Sequence, residues 1–268
     1  MKPARILTVA GSDSGGGAGI EADIKTIERL GGYAMAAVTS VTAQNTLGVQ
    51  GIWPLPPEAI EAQIRSCRED IGVDAAKCGM LGGTAAVEAA AAGLAAMPGL
   101  RLVVDPVMRA KGGDRLLAPE AEQALKGLIL PIATLVTPNL PEAAVLVGYE
   151  VKSPKERERA AQELVEMGAG AALIKGGHGD GDELEDLLYD GSRFYRFHAR
   201  RIDTRHTHGT GCTLSAAIAT GLGQGLDLPA AVARAVAYVQ TAIRLAPGFG
   251  GGHGPLDHHA GQPPWQEG

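Results

Sequence analysis

Short apolar runs rich in β-branched residues alternate with Ala-rich stretches along most of the 268 residues, and this alternation constrains the fold more than any other feature. The runs at 5–10, 33–40, 75–78, 101–105, 134–137 and 171–175 are almost uniformly apolar, as strands covered on both faces must be. Between them the pattern predicts helices over 20–30, 58–71, 84–96, 119–130 and 154–167. Ser153-Pro154-Lys155-Glu156 is a helix start: a capping Ser, Pro at the first helical position and Glu three residues after the cap. Strand–helix alternation implies βαβ crossovers, hence a three-layer α/β fold with a mostly parallel central sheet and helices on both faces. The pattern breaks once. Leu187-Leu188-Tyr189, an Asp190-Gly191 turn and Arg193-Phe194-Tyr195-Arg196-Phe197 read as a hairpin within 187–202, an antiparallel edge added late. Helices over 213–223 and 228–245 follow. A single domain over 1–247 is expected, with an irregular Gly/Pro/His-rich tail over 248–268.

Composition narrows the function classes. A formal net charge of −6 and the lack of a Lys/Arg run argue against a nucleic-acid partner. No run of about 18 apolar residues predicts a membrane span, and 5–10 is too short for a signal-peptide core. Cys67, Cys78 and Cys212 are odd in number and lack paired metal spacing, which fits a reducing, cytoplasmic setting.

In doubly wound sheets ligands gather beyond the carboxyl ends of the strands. Here those ends carry Gly11-Ser12-Asp13-Ser14-Gly15-Gly16-Gly17-Ala18-Gly19, Asp105-Pro106, Pro138-Asn139-Leu140-Pro141-Glu142 and Lys175-Gly176-Gly177-His178. A further glycine turn, Gly209-Thr210-Gly211-Cys212, opens the helix at 213. Its free amides and dipole suit phosphate oxygens, and the same field would lower the pKa of Cys212. Read alone, it fits a glycine-capped helix with a packed Cys as well. The first glycine loop lacks the Gly-Lys-Ser/Thr ending of a phosphate-binding P-loop. Asp23 would accept a bond from a ligand hydroxyl, or be a solvated carboxylate near a helix start. Asp105 and Glu142, with Asn139, are candidates for holding Mg²⁺, which needs only one or two carboxylates. An Asp turn cap, and Asn139 capping a helix, account for the same residues. Lys175 would meet phosphate as a point charge, or snorkel to the surface. Gln44 offers donor and acceptor together, suited to a heteroaromatic edge, or to an ordinary loop contact. Met80 would pack on a flat ring, or in the core. His253, Asp257, His258 and His259 lack a framework for a metal and read as a solvated tail.

Taken together, these segments resemble the hydroxymethylpyrimidine/phosphomethylpyrimidine kinases of thiamine biosynthesis, within the ribokinase-like superfamily. The matching motifs run in the family's order from Ala10-Gly11-Ser12-Asp13 to His206-Thr207-His208-Gly209 and beyond. The resemblance implies ATP and Mg²⁺ as cofactors, a small pyrimidine alcohol as substrate and two successive phosphorylations; a homodimer is consistent with it. It implies that Asp23 and Gln44 recognise the pyrimidine in a pocket lined by Gly11, Ala18, Val41, Met80 and Val107. Asp105, Asn139 and Glu142 would organise metal and phosphates, Lys175 would assist, and Gly209, Thr210 and Gly211 would form the anion hole. Cys212 would sit at the base position, where sugar kinases and ordinary pyridoxal kinases of the superfamily carry Asp. The alternatives are a pyridoxine/pyridoxal kinase and a pyrimidine-binding sensor without transfer.

Overall fold

The computed structural model describes residues 2–108, 116–177 and 183–260. Its strands are β1 (Arg5–Ala10), β2 (Tyr33–Val38), β3 (Ser40–Asn45), β4 (Gly48–Pro54), β5 (Ala75–Cys78), β6 (Arg101–Val104), β7 (Leu135–Val136), β8 (Ala172–Ile174), β9 (Glu183–Tyr189) and β10 (Phe194–Arg200). The helices are α1 (Gly19–Arg29), α2 (Pro57–Ser66), α3 (Thr84–Ala95), α4 (Pro119–Ala124), α5 (Leu140–Val147), α6 (Pro154–Glu166), α7 (Thr210–Gly223) and α8 (Leu228–Arg244). α2 and α4 each run on into a π-helical turn, Cys67–Ile71 and Leu125–Ile129.

Eight strands form one sheet in the order β10-β9-β8-β7-β6-β5-β1-β2. The pairings from β2 across to β8 are parallel, and β9 and β10 close the edge antiparallel. The twofold strand period explains why these runs are apolar throughout: both faces are covered. In β1, Ile6 faces the layer of α1, α7 and α8, while Leu7 and Val9 face the layer of α2 to α6. Ile27, Leu214, Ile218 and Val232 fill the first layer; Ile60, Val87, Ala143 and Leu164 fill the second. Each such Ile, Leu or Val side chain contributes about 1.5–3 kcal/mol by leaving water.

Two elements depart from the sequence expectation. The predicted strand over 33–40 stops at Val38, and the chain turns at Thr39, whose N–H donates to Ala10 O and whose hydroxyl donates to Met80 O. Beyond it β3 and β4 form a separate antiparallel pair, with a register irregularity between Ala43 and Gln44. The segment around Gln44 is therefore a strand, not a loop. α5 was no more than a candidate cap in the sequence. It is a full helix, started by a capping box in which Asn139 and Glu142 bond each other's amides.

The tail from 248 carries no helix or strand as far as 260, but it packs on the body. Leu256, His258 and Ala260 are buried, and Tyr238 donates its hydroxyl to His258 O. His258 is thus not solvated; burial lowers its pKa to about 4. Among the described residues no group of three or more His, Cys, Asp or Glu side chains is placed to hold a metal ion, and no helix is long and apolar enough to cross a membrane. His178 and 261–268 lie outside the described residues.

Candidate active site

The chain leaves β1 toward β2 on one side, then returns to β5 on the other. Loops after β1 and β5 therefore diverge and open a crevice at the carboxyl edge, the usual ligand position in such sheets. Gly11 N donates to Met80 O across it at 3.1 Å. A cavity of about 720 Å³ occupies the crevice and extends along the strand ends as far as Lys175 and Arg201.

Asp13 folds the first glycine loop around itself. Its carboxylate accepts from Gly15 N, Gly17 N and Ala18 N at 2.8, 3.0 and 2.8 Å, and from His208 Nε2 at 2.8 Å. Burial alone would raise its pKa, but His208 and the amides outweigh that and hold the carboxyl below its ordinary range. The loop lies directly on the second glycine turn: a Cβ on Gly209, whose φ is +83°, would strike Gly17 O. Only glycine admits that backbone at that contact.

α7 begins at that turn without a side-chain cap. The Thr210 hydroxyl donates to Thr207 O at 2.8 Å, so what the turn offers a ligand is backbone. Amides in the first turn of a helix have no intrahelical acceptor, and Gly211 and Cys212 both line the cavity. Beside them a Cβ on Gly211 would come 3.0 Å from Asp105 Oδ2 and 3.3 Å from Lys175 Nζ. Lys175 Nζ bonds Asp105 Oδ1 at 2.7 Å and lies 3.9 Å from Glu142 Oε2. The lysine is not a snorkelling surface residue. Its charge is preserved: burial lowers its pKa, and Asp105 and Glu142 raise it further. Glu142 is pushed up to about 7, by burial first and by Asp105, against the pull of Lys175 and the amides of Asn139 and Met108.

Cys212 departs from expectation. Its thiol is pushed up, not down, to about 11, because burial and the charges of Asp23 and Asp105 outweigh Lys77 and the Gly19 amide. At neutral pH the thiol keeps its proton.

Of the fifteen residues the sequence singled out for the site, thirteen line this one cavity: Gly11, Ala18, Gln44, Met80, Asp105, Val107, Asn139, Glu142, Lys175 and the four from Gly209 to Cys212. Asp23 and Val41 do not. Asp23 is sealed beneath the floor, where it accepts from Thr8 Oγ1 at 2.6 Å and pairs with Lys77 Nζ at 2.8 Å. Val41 lies on the outer face of the β3–β4 hairpin and is exposed. The sequence reading missed Lys77 and His208. A charge within Ala75-Ala76-Lys77-Cys78, a strand buried on both faces, required a buried partner and was a readable signal. His208 had only its place before Gly209 to mark it.

Comparison with known proteins follows the same outline. The profile of the family described as Phosphomethylpyrimidine kinase matches residues 13–257. A hydroxymethylpyrimidine/phosphomethylpyrimidine kinase of Streptomyces coelicolor is 52% identical over 258 residues, 96% of this chain and 95% of that protein. A thiamine biosynthesis bifunctional protein of Geobacter sulfurreducens is 48% identical over 94% of this chain and 52% of its own length. Among solved structures, Bacillus subtilis pyridoxal kinase in complex with ADP superposes with a TM-score of 0.89 at 37% identity, covering 96% of this chain and 98% of the other.

Proposed function

This chain belongs to the phosphomethylpyrimidine kinase family, and on that premise we propose that it is an ATP-dependent kinase of 4-amino-5-hydroxymethyl-2-methylpyrimidine. It forms the monophosphate and then the diphosphate, as a step of thiamine biosynthesis. The single observation that carries the reading is the uncapped turn at Gly209–Cys212, set against the Lys175–Asp105 pair in one cavity with Gln44.

Phosphoryl transfer asks little covalent chemistry of a protein and much positioning. Gln44 orients the pyrimidine, and Gly11, Ala18, Met80 and Val107 shape its pocket. The amides of Gly211 and Cys212 stabilise charge developing on the transferred group, an effect typically worth about 10²–10³ in rate per donor. Lys175 meets the phosphates as a point charge. Asp105 and Glu142, helped by Asn139, form an all-oxygen donor set with one ammonium between two carboxylates, which fits a hard cation. Mg²⁺ bound with ATP supplies further neutralisation of phosphate charge. Cys212, a protonated thiol, donates to or places the substrate oxygen and does not begin the reaction as a base.

Pyridoxal kinase activity is the second reading, favoured by the likeness to the Bacillus enzyme. Purified protein with Mg²⁺ and ATP is expected to show a higher kcat/KM for the pyrimidine alcohol than for pyridoxal; the reverse order would reassign the substrate. A sensor without transfer would bind the pyrimidine and leave ATP intact. The same proposal includes a cytoplasmic setting, consistent with three free cysteines. It also includes a homodimer joined through the exposed hairpin face, where Val41 pairs with Trp53. Light scattering on Trp53→Lys would then report a monomer.

A further inference from the structure

The Gln44 amide has a polar neighbour on each side, and the protons available there determine which way it can point. On one side, His208 Nε2 lies 2.8 Å from Asp13 Oδ2. An ionised carboxylate only accepts, so that ring nitrogen carries a proton and donates it. Gln44 Nε2 sits 3.4 Å from the same nitrogen, which sets donor against donor. On the other side, Thr42 Oγ1 donates its one proton to Ser12 O at 2.8 Å. Gln44 Oε1, 3.4 Å from Thr42 Oγ1, then faces lone pairs. Half a turn about the last side-chain bond mends both contacts: the carbonyl shares the His208 N–H, and the amino group donates to Thr42 Oγ1.

We propose that His208, locked by Asp13, and Thr42, locked by Ser12, are positioning residues that hold the Gln44 carbonyl toward His208 and its amino group toward Thr42. A carboxamide has two protons and two lone pairs. One of each is satisfied by the protein in this arrangement, and one of each remains for the cavity that Gln44 lines. The order of the remaining pair selects a ligand edge with an exocyclic amino donor on the His208 side and a ring-nitrogen acceptor on the Thr42 side. An aminopyrimidine has that edge. A pyridine alcohol without the amino group leaves the carbonyl lone pair unmatched. The inference rests on the pyrimidine reading above and extends it from one recognition residue to the residues that orient it.

The test compares the aminopyrimidine alcohol with its desamino analogue, by steady-state kinetics and by calorimetric binding without ATP. In His208→Leu the amide is free to turn. KM and Kd for the amino compound are expected to rise about ten-fold, the size of one lost hydrogen-bond order, with kcat within about three-fold. The desamino analogue should shift by less than about two-fold. His208→Gln places an amide N–H where Nε2–H stood and is expected to restore the preference; Thr42→Val should weaken it from the other side. Equal losses for both compounds in His208→Leu, or no rescue by His208→Gln with folding intact, would reduce His208 to a strap between the glycine turns and overturn the proposal. Wild-type protein that fails to distinguish the two compounds would overturn it as well. If wild-type protein binds neither compound, the functional reading falls together with it.

Discussion

Among the described residues, two buried Lys–Asp pairs are chemically alike. Lys77 Nζ meets Asp23 Oδ2 at 2.8 Å, and Lys175 Nζ meets Asp105 Oδ1 at 2.7 Å. The first pair has no exposed side-chain surface, whereas Lys175 keeps 14% of its own open to the cavity. That difference separates scaffold from site. A sealed pair cannot exchange partners, so its charges are fixed beneath the floor, where Lys77 stays protonated through the charge of Asp23 against the cost of burial. The open pair can give up part of its attraction to an incoming phosphate. Access to the cavity, more than charge or partner, therefore tells the two pairs apart, and it sets Asp23 apart from the residues proposed for the site.

The contrast can be broken at either end. Lys77→Met should lose about 3–5 kcal/mol in denaturant unfolding, since it strands a buried carboxylate, and Asp23→Leu in the same chain should recover most of that loss. A Lys77→Met protein as stable as the parent would remove the scaffold role. Lys175→Met and Gly211→Ala should each lower kcat by about 10²–10³, and Gly211→Ala, which leaves the Lys175–Asp105 pair in place, should melt within a few degrees of wild type. A stability loss in Gly211→Ala as large as that in Lys77→Met would erase the distinction.

Glu142 sharpens it through pH. Its folded pKa of about 7 stands above the ordinary 4.5, so between those values the folded state holds a proton the unfolded chain has released. Stability without nucleotide should therefore fall as pH rises through that window, by on the order of 3 kcal/mol. Glu142→Gln keeps the capping box and should flatten the profile, as read by unfolding at pH 5 and 8. The smallest effect is expected at Cys212. With a thiol pKa near 11 it is no base at neutral pH, so Cys212→Ser should retain kcat within about ten-fold. A general base would cost about 10²–10⁴.

The parallel sheet was legible because a strand buried on both faces is apolar at nearly every position, as in Leu102-Val103-Val104. The late hairpin was legible from its Asp190-Gly191 turn. The β3–β4 pair was not. Ser40-Val41-Thr42-Ala43-Gln44 does alternate, but with Ser40 and Thr42 buried and Val41 exposed, so the pattern runs opposite to the apolar-in signal of a core strand. Thirteen of the candidate residues line one cavity because the parallel sheet brings its strand-end loops and the start of α7 to one edge, while Gln44 reaches it from the β3–β4 ribbon. The burial of Asp23 was not legible, because spacing gives a residue's place on a helix, not which partner lies under it. Lys77 supplies that partner from 54 residues away in the chain.

The most direct test of the whole account is to incubate the purified protein with 4-amino-5-hydroxymethyl-2-methylpyrimidine, Mg²⁺ and ATP and to resolve the products by mass over time. The monophosphate is expected first and the diphosphate after it, with ADP formed in step. ATP left unconsumed, or phosphate transferred to pyridoxal while the pyrimidine alcohol stays unmodified, would contradict it.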